Sequence, residues 1–239
     1  QKKFASRCFY KEVHKLCCIF AHFNQIYNIN SALNLMAFKK LHSDILEMLE
    51  YLDITTPTAF QSASIPVIKS GANIYCTAPK GSGKTTTMIL TTLQKLKCEP
   101  VGTAPRAIIL VEDRDRAAEV NEAFFKYLRH HPLRVYLCDE KLHIDVIKSE
   151  VFEGVDILIA TPKTLNKLFL LEGVNTTQLK IFNMDDAAFL EQKIAHNTML
   201  LLTESIQKCQ FVIYTDKMHP FLKRYESYFM KHPKVISIK

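Results

Sequence analysis

Asn73-Ile74-Tyr75-Cys76-Thr77, followed by Ala78-Pro79-Lys80-Gly81-Ser82-Gly83-Lys84-Thr85-Thr86, decides how the chain is read. The first five residues have the apolar, β-branched and aromatic content of a buried strand. The residues from Lys84 onward carry a helical pattern. A glycine-rich turn between a strand and a helix is the setting a phosphate-binding loop requires. Gly81 and Gly83 let the backbone turn its N–H groups inward, and the helix N-terminus adds positive potential. Lys84 is placed to reach the β- and γ-phosphates, and the Thr85 hydroxyl to ligate Mg²⁺. The loop from Ala78 through Thr86 is therefore the expected nucleotide site: Ala78, Pro79, Lys80, Gly81, Ser82, Gly83, Lys84, Thr85 and Thr86. The first glycine of the general GxxxxGK[ST] pattern is here Ala78. An ordinary glycine-bearing turn with Lys84 in solvent is the alternative, and the strand–GKT–helix setting disfavours it.

Outward from the loop, apolar strand-length runs recur near 107–111, 134–138, 156–160, 179–184, 211–215 and 234–238. Helical patterns lie between most of them, among them 84–97, 114–130, 162–170 and 197–208. Alternation of apolar strands with helices predicts a parallel sheet covered on both faces. The run 179–184 ends in Asp185-Asp186. A phosphate loop needs a metal-organising carboxylate at the end of a neighbouring strand. Asp185 is expected to hold Mg²⁺ through water, and Asp186 to orient or deprotonate the attacking water. Taken alone, the pair reads equally well as a helix N-terminus, where aspartates are favoured.

The chain has 239 residues, a formal net charge of +7 and 48% hydrophobic residues, enough for a real core and too much for a disordered tail. No apolar run approaches the ~20 residues of a membrane span. The mild basic excess permits a nucleic-acid partner. Seven cysteines at irregular spacing, with no CxxC, point to reduced thiols and a cytoplasmic setting. His14, Cys17, Cys18 and His22 are read as an ordinary apolar helix face rather than a metal site, because adjacent cysteines rarely share one ion. Residues 1–35 hold Glu12 as their one acidic residue and read as an N-terminal helical extension. The functional domain is expected over 36–239. Because Gln1 is not an initiator, the numbering is expected to begin inside a longer product or after processing.

With these residues in hand, the chain resembles the first RecA-like domain of DEAD-box RNA helicases from about Phe38 onward. The loop is similar to that family's AxTGSGKT motif, and Ile54-Thr55-Thr56-Pro57-Thr58-Ala59-Phe60-Gln61 is similar to its Q motif. The resemblance implies a three-layer RecA-like sandwich with a mostly parallel sheet, binding ATP and Mg²⁺. It implies that Gln61 reads the adenine edge and that Phe38 stacks on the adenine ring. Leu110-Val111-Glu112-Asp113-Arg114-Asp115 stands at the LVPTRE position, and Thr161-Pro162-Lys163-Thr164 at TPGR. Arg114, Thr161 and Pro162 are thereby expected to meet single-stranded RNA.

Several positions depart from the family pattern. The DEAD tetrad reads Asp185-Asp186-Ala187-Ala188, so the catalytic carboxylate expected at Asp186 is one methylene short. The SAT motif reads Tyr214-Thr215-Asp216, and the glycine pair that normally meets RNA reads Asp139-Glu140. Two carboxylates there repel phosphate. The chain ends soon after 234–238, where a first RecA-like domain closes, so arginine fingers are expected from a second RecA-like domain in trans, and the chain itself is expected to be monomeric. The sequence thus supports an ATP-binding helicase domain with weak hydrolysis, Lys84 and Asp186 being its catalytic residues. A non-catalytic nucleotide-dependent RNA-binding or scaffold module is the alternative. A small-molecule kinase is disfavoured, since no arginine cluster follows the loop and the 57–61 segment has no place in one.

Overall fold

The computed structural model describes residues 37–128, 131–206 and 208–239. The extension, 1–35, and the His14–Cys18–His22 group lie outside the described residues.

Seven strands form one sheet: β1 (Ile74–Thr77), β2 (Ala107–Leu110), β3 (Val135–Leu137), β4 (Ile157–Ala160), β5 (Ile181–Met184), β6 (Gln210–Thr215) and β7 (Lys234–Ser237). Their order is β3-β4-β2-β5-β6-β1-β7, and every pairing is parallel. Each strand lies within two residues of the run expected from sequence, and the mostly parallel sheet expected is parallel throughout. Burial follows position in the sheet. The five inner strands are buried along their whole length, whereas the edges β3 and β7 are half-buried and largely exposed.

Side chains alternate across a strand. Ile109, Ile157, Ile159, Val212 and Tyr214 enter one buried cluster, and Ile108, Leu110, Leu158, Phe182 and Ile213 the other. On the first face lie α1 (Ser43–Tyr51), α2 (Ala59–Lys69), α3 (Lys84–Leu96) and α4 (Arg114–Tyr127), with Ile45, Phe60, Met88 and Phe124 turned inward. On the second lie α5 (Ile144–Gly154), α6 (Pro162–Leu170), α7 (Lys193–Glu204) and the 3₁₀ segment Pro220–Ser227, contributing Ile147, Leu165, Met199 and Tyr225. Continuous apolar strands bury both faces of the sheet, giving three layers. Among the described residues no helix is long and apolar enough to cross a membrane.

The two ends of the sheet differ in chemistry. At the N-terminal ends of β2, β3 and β4, Asp156 is fully buried and accepts hydrogen bonds from Arg106 at 2.7 Å, from Arg134 Nε at 2.9 Å and from the Arg134 amide at 3.1 Å. Burial alone would push the Asp156 carboxyl up. The two guanidiniums outweigh it and hold the group below the usual carboxylate range. The C-terminal ends carry every motif residue that follows a strand, which is where open α/β sheets bind ligands.

Candidate nucleotide site

Gly83 caps the N-terminus of α3 with φ of 95°, and Gly81 turns with φ of 80°. Glycine is required at Gly83 for a second reason: a Cβ there would stand 2.8 Å from Gln61 Nε2. The first turn of α3 has no side-chain cap, so its leading N–H groups are available to an anion. The buried Ser82 hydroxyl has no partner, and nothing lies within 4 Å beside Gly81. Open space, free N–H groups and an unpaired hydroxyl together fit a phosphate chain.

Lys84 folds back in this state. It donates to the Ala78 carbonyl and to the Pro79 carbonyl at 3.1 Å, and pairs with Asp216 at the end of β6. Asp216 was visible in the sequence only as the last residue of a changed motif. Its partnership with Lys84 depends on β1 and β6 being neighbours.

Gln61 is buried and forms a capping box with Thr58: the Thr58 amide donates to its Oε1 at 2.8 Å, while the Gln61 amide donates to Thr58 Oγ1 at 3.2 Å. Thr58 Oγ1 donates in turn to the Ser82 carbonyl at 2.7 Å, joining α2 to the loop. The Gln61 amide thus lies against the phosphate loop with its Nε2 donors free of protein acceptors in the cap. Phe38 belongs to the first buried cluster, with Leu41 and Ile45, and does not line the phosphate cavity.

That cavity has a volume of about 640 Å³ and brings Lys80, Gly81, Gly83, Lys84, Thr85 and Thr86 together with Asp185, Asp186 and Asp216. Asp186 stands at φ of 49°, a left-handed conformation, and its carboxylate makes no capping bond. Asp185 is buried and committed. Arg116 Nε donates to its Oδ2 at 2.6 Å, and the same guanidinium donates to Thr85 Oγ1 at 3.0 Å and to Glu119 at 2.7 Å. Burial works against the Arg116 charge, but the Asp185 and Glu119 carboxylates more than offset it. Sequence reasoning missed Arg116, which follows Arg114 and Asp115 and stands in the first turn of α4. The only signal was that this turn begins at the C-terminal end of β2, on the same edge as the phosphate loop.

The two oxygens expected to organise Mg²⁺, on Thr85 and Asp185, are therefore of the right chemical type and lie close together, but a guanidinium bridges them. As arranged, this pair does not fit a hydrated divalent ion, which needs near-octahedral oxygen ligation at about 2.0–2.1 Å.

Arg114, Thr161 and Pro162 line a neighbouring cavity of about 620 Å³ that shares Glu112 and Asp113 with the first. Here too the functional groups are engaged. Arg114 makes a bidentate pair with Asp139 at 2.8 and 3.1 Å, and Thr161 donates to Glu140. The Arg114 hydrogen bond, with help from the Lys141 amide, draws the Asp139 carboxyl down to about 2. Burial pushes the Cys98, Cys138 and Cys209 thiols up to about 12, so none of them is an activated nucleophile.

A family model, DEAD/DEAH box helicase, matches residues 58–216, more than half of the chain. The chain belongs to the DEAD/DEAH box helicase family. Over 156 residues it is 30% identical to the pre-mRNA-processing ATP-dependent RNA helicase PRP5 of Vanderwaltozyma polyspora, covering 62% of this chain and 18% of that protein. It is 26% identical over 204 residues to the ATP-dependent RNA helicase DeaD of Buchnera aphidicola, covering 83% of this chain and 33% of that one. In fold it is similar to a DEAD box protein from Methanococcus jannaschii, with a TM-score of 0.76 and 19% identity over 84% of this chain and 55% of that one. The chain thus spans only part of its DEAD-box relatives, about a third or less of the two helicases.

Proposed function

We propose that this chain is the nucleotide-binding RecA-like domain of a DEAD-box RNA helicase, holding ATP at the Ala78–Thr86 loop and hydrolysing it poorly alone. The observation that carries this reading is the single cavity in which Lys84, the open α3 N-terminus and the Asp185-Asp186 pair converge at one end of the sheet. The phosphates are held by backbone N–H groups and Lys84, which must exchange Asp216 for phosphate. Gln61 faces the adenine end, and Asp186 is the carboxylate available to position water. Phe38 stacking on adenine, for which it must leave the buried cluster it occupies here, a second RecA-like domain in trans, a monomeric state and a cytoplasmic location complete the proposal. Mixing the purified chain with ATP, with and without single-stranded RNA, tests it. RNA-stimulated phosphate release supports a helicase motor, and absence of ATP binding would overturn the reading.

The alternative, a nucleotide-dependent module without catalysis, is favoured by one feature: the RNA-facing groups are occupied by this chain's own carboxylates. Removing them has a measurable consequence. Asp139→Ala with Glu140→Ala frees Arg114 and Thr161 and deletes two negative charges. A recovered charge-assisted contact is worth roughly 1.5–3 kcal/mol, so single-stranded RNA should bind about tenfold tighter or better at low salt. The salt dependence should also steepen, because more phosphates are neutralised. Fluorescence anisotropy with labelled oligonucleotide reads both quantities, and unchanged affinity would show that this face does not meet RNA.

A further inference from the structure

We propose that Arg116 is a built-in cation standing in place of the divalent metal, so that this pocket binds adenine nucleotide without Mg²⁺. The inference rests on the nucleotide-site reading above and goes beyond it. Arg116 comes from α4, yet its guanidinium spans the gap between a residue of the phosphate loop and the buried carboxylate at the end of β5. Its side chain is 34% exposed, while that of Asp185 is 3% exposed. Three partners fix it: Asp185 through Nε, Thr85 through one terminal nitrogen and Glu119 through the other. The backbone below it is fixed as well, since Asp113 caps α4 by accepting from the Arg116 amide at 2.8 Å.

A guanidinium and a hydrated metal cannot share this space. The nitrogen that donates to Thr85 Oγ1 lies 3.0 Å from the oxygen a metal would need at about 2.1 Å, and the same guanidinium holds Asp185 Oδ2. Asp185 is nearly inaccessible, so a hydrated ion reaches it only after the Arg116 guanidinium is displaced, which also breaks its bonds to Thr85 and Glu119. Arginine carries five N–H donors, and three are in use, which leaves two for phosphate oxygens. Its planar fork suits that task. Glu112, Asp115 and Asp186 border the same cavity as Lys80 and Lys84, and the Arg116 charge lowers the repulsion those carboxylates exert on a polyphosphate.

The experiment is a titration of the chain with a fluorescent methylanthraniloyl derivative of ATP, in Mg²⁺ and again in EDTA. The wild-type dissociation constant should change by less than about threefold between the two, well under the tenfold step that 1.4 kcal/mol represents. Arg116→Ala opens the Thr85–Asp185 pair to metal, and its binding should become at least about tenfold tighter in Mg²⁺ than in EDTA. Arg116→Lys keeps a charge and serves if the alanine variant does not fold; its metal dependence should fall between the two. As a readout independent of nucleotide fluorescence, Mn²⁺ added to wild-type chain and ADP should show no bound-ion electron paramagnetic resonance signal beyond that of ADP alone. Wild-type binding that collapses in EDTA, or a protein-bound Mn²⁺ signal, overturns the role of Arg116 and leaves the nucleotide site standing. No nucleotide binding by any variant in either condition overturns the site itself and the inference with it.

Discussion

Steady-state phosphate release by the 239-residue chain alone is expected to lie about 10³-fold or more below that of the same chain supplied with a second RecA-like domain from a related helicase. An arginine finger is worth roughly 10³–10⁵ in rate, and the proposed function assigns it to a second RecA-like domain. Arg116 cannot take that part. Its guanidinium is tied to Asp185, Thr85 and Glu119. Asp186 adds a further handicap. It is one methylene shorter than the glutamate at that position in the family, and misplacing a catalytic group by ~1 Å can cost about 10²-fold. The two losses need not add, since both act on one transition state. Asp186→Glu should therefore raise the rate of the chain alone by less than about tenfold, and by more once the second domain is present. Rapid turnover by the chain alone, abolished by Asp186→Ala, would contradict this account.

Asp156→Ala is expected to destabilise the domain by about 3–5 kcal/mol, the usual cost of leaving a buried charge without its partner. The Arg106 side chain is 1% exposed and would lose its carboxylate, while Arg134 would lose its anchor before β4. For a domain of this size each kcal/mol shifts the melting temperature by roughly 2–4 °C, so a fall of about 6–20 °C should be seen by differential scanning calorimetry. Asp156→Asn keeps an acceptor and should lose less. The pH dependence has a definite sign. Asp156 has a folded pKa below its unfolded value, so its contribution is fully present above the ordinary carboxylate range and is lost as pH falls through and below it. A melting temperature unchanged in Asp156→Ala would show that the network contributes nothing.

The strands were legible because five of them are buried on both faces and must be apolar throughout, and their alternation with helices settles parallel pairing. The phosphate loop was legible because two glycines, a lysine and a threonine lie within a few residues of one another. Arg116, Asp216 and the Arg106–Asp156–Arg134 network were not. Each depends on which strands become neighbours: β6 beside β1 brings Asp216 to Lys84, and β2 beside both β4 and β5 brings Arg106 to Asp156 and α4 to Asp185. The sequence alone implies that Asp139-Glu140 repels RNA, whereas the structure shows a more specific act: the two carboxylates hold Arg114 and Thr161 directly. The helix α5 between β3 and β4 is faint in the sequence, because only Ile147 and Val151 of its eleven residues are buried.

The most direct test of the central claim is the affinity of the chain for ATP with and without the Lys84 ammonium. Lys84→Ala removes a charge-assisted phosphate contact worth roughly 1.5–3 kcal/mol, so isothermal titration should show binding weakened by about tenfold to a hundredfold. Asp216→Asn releases Lys84 from its ion pair and should leave binding equal or tighter. Equal ATP affinity in wild type and Lys84→Ala would contradict the assignment of this loop to nucleotide.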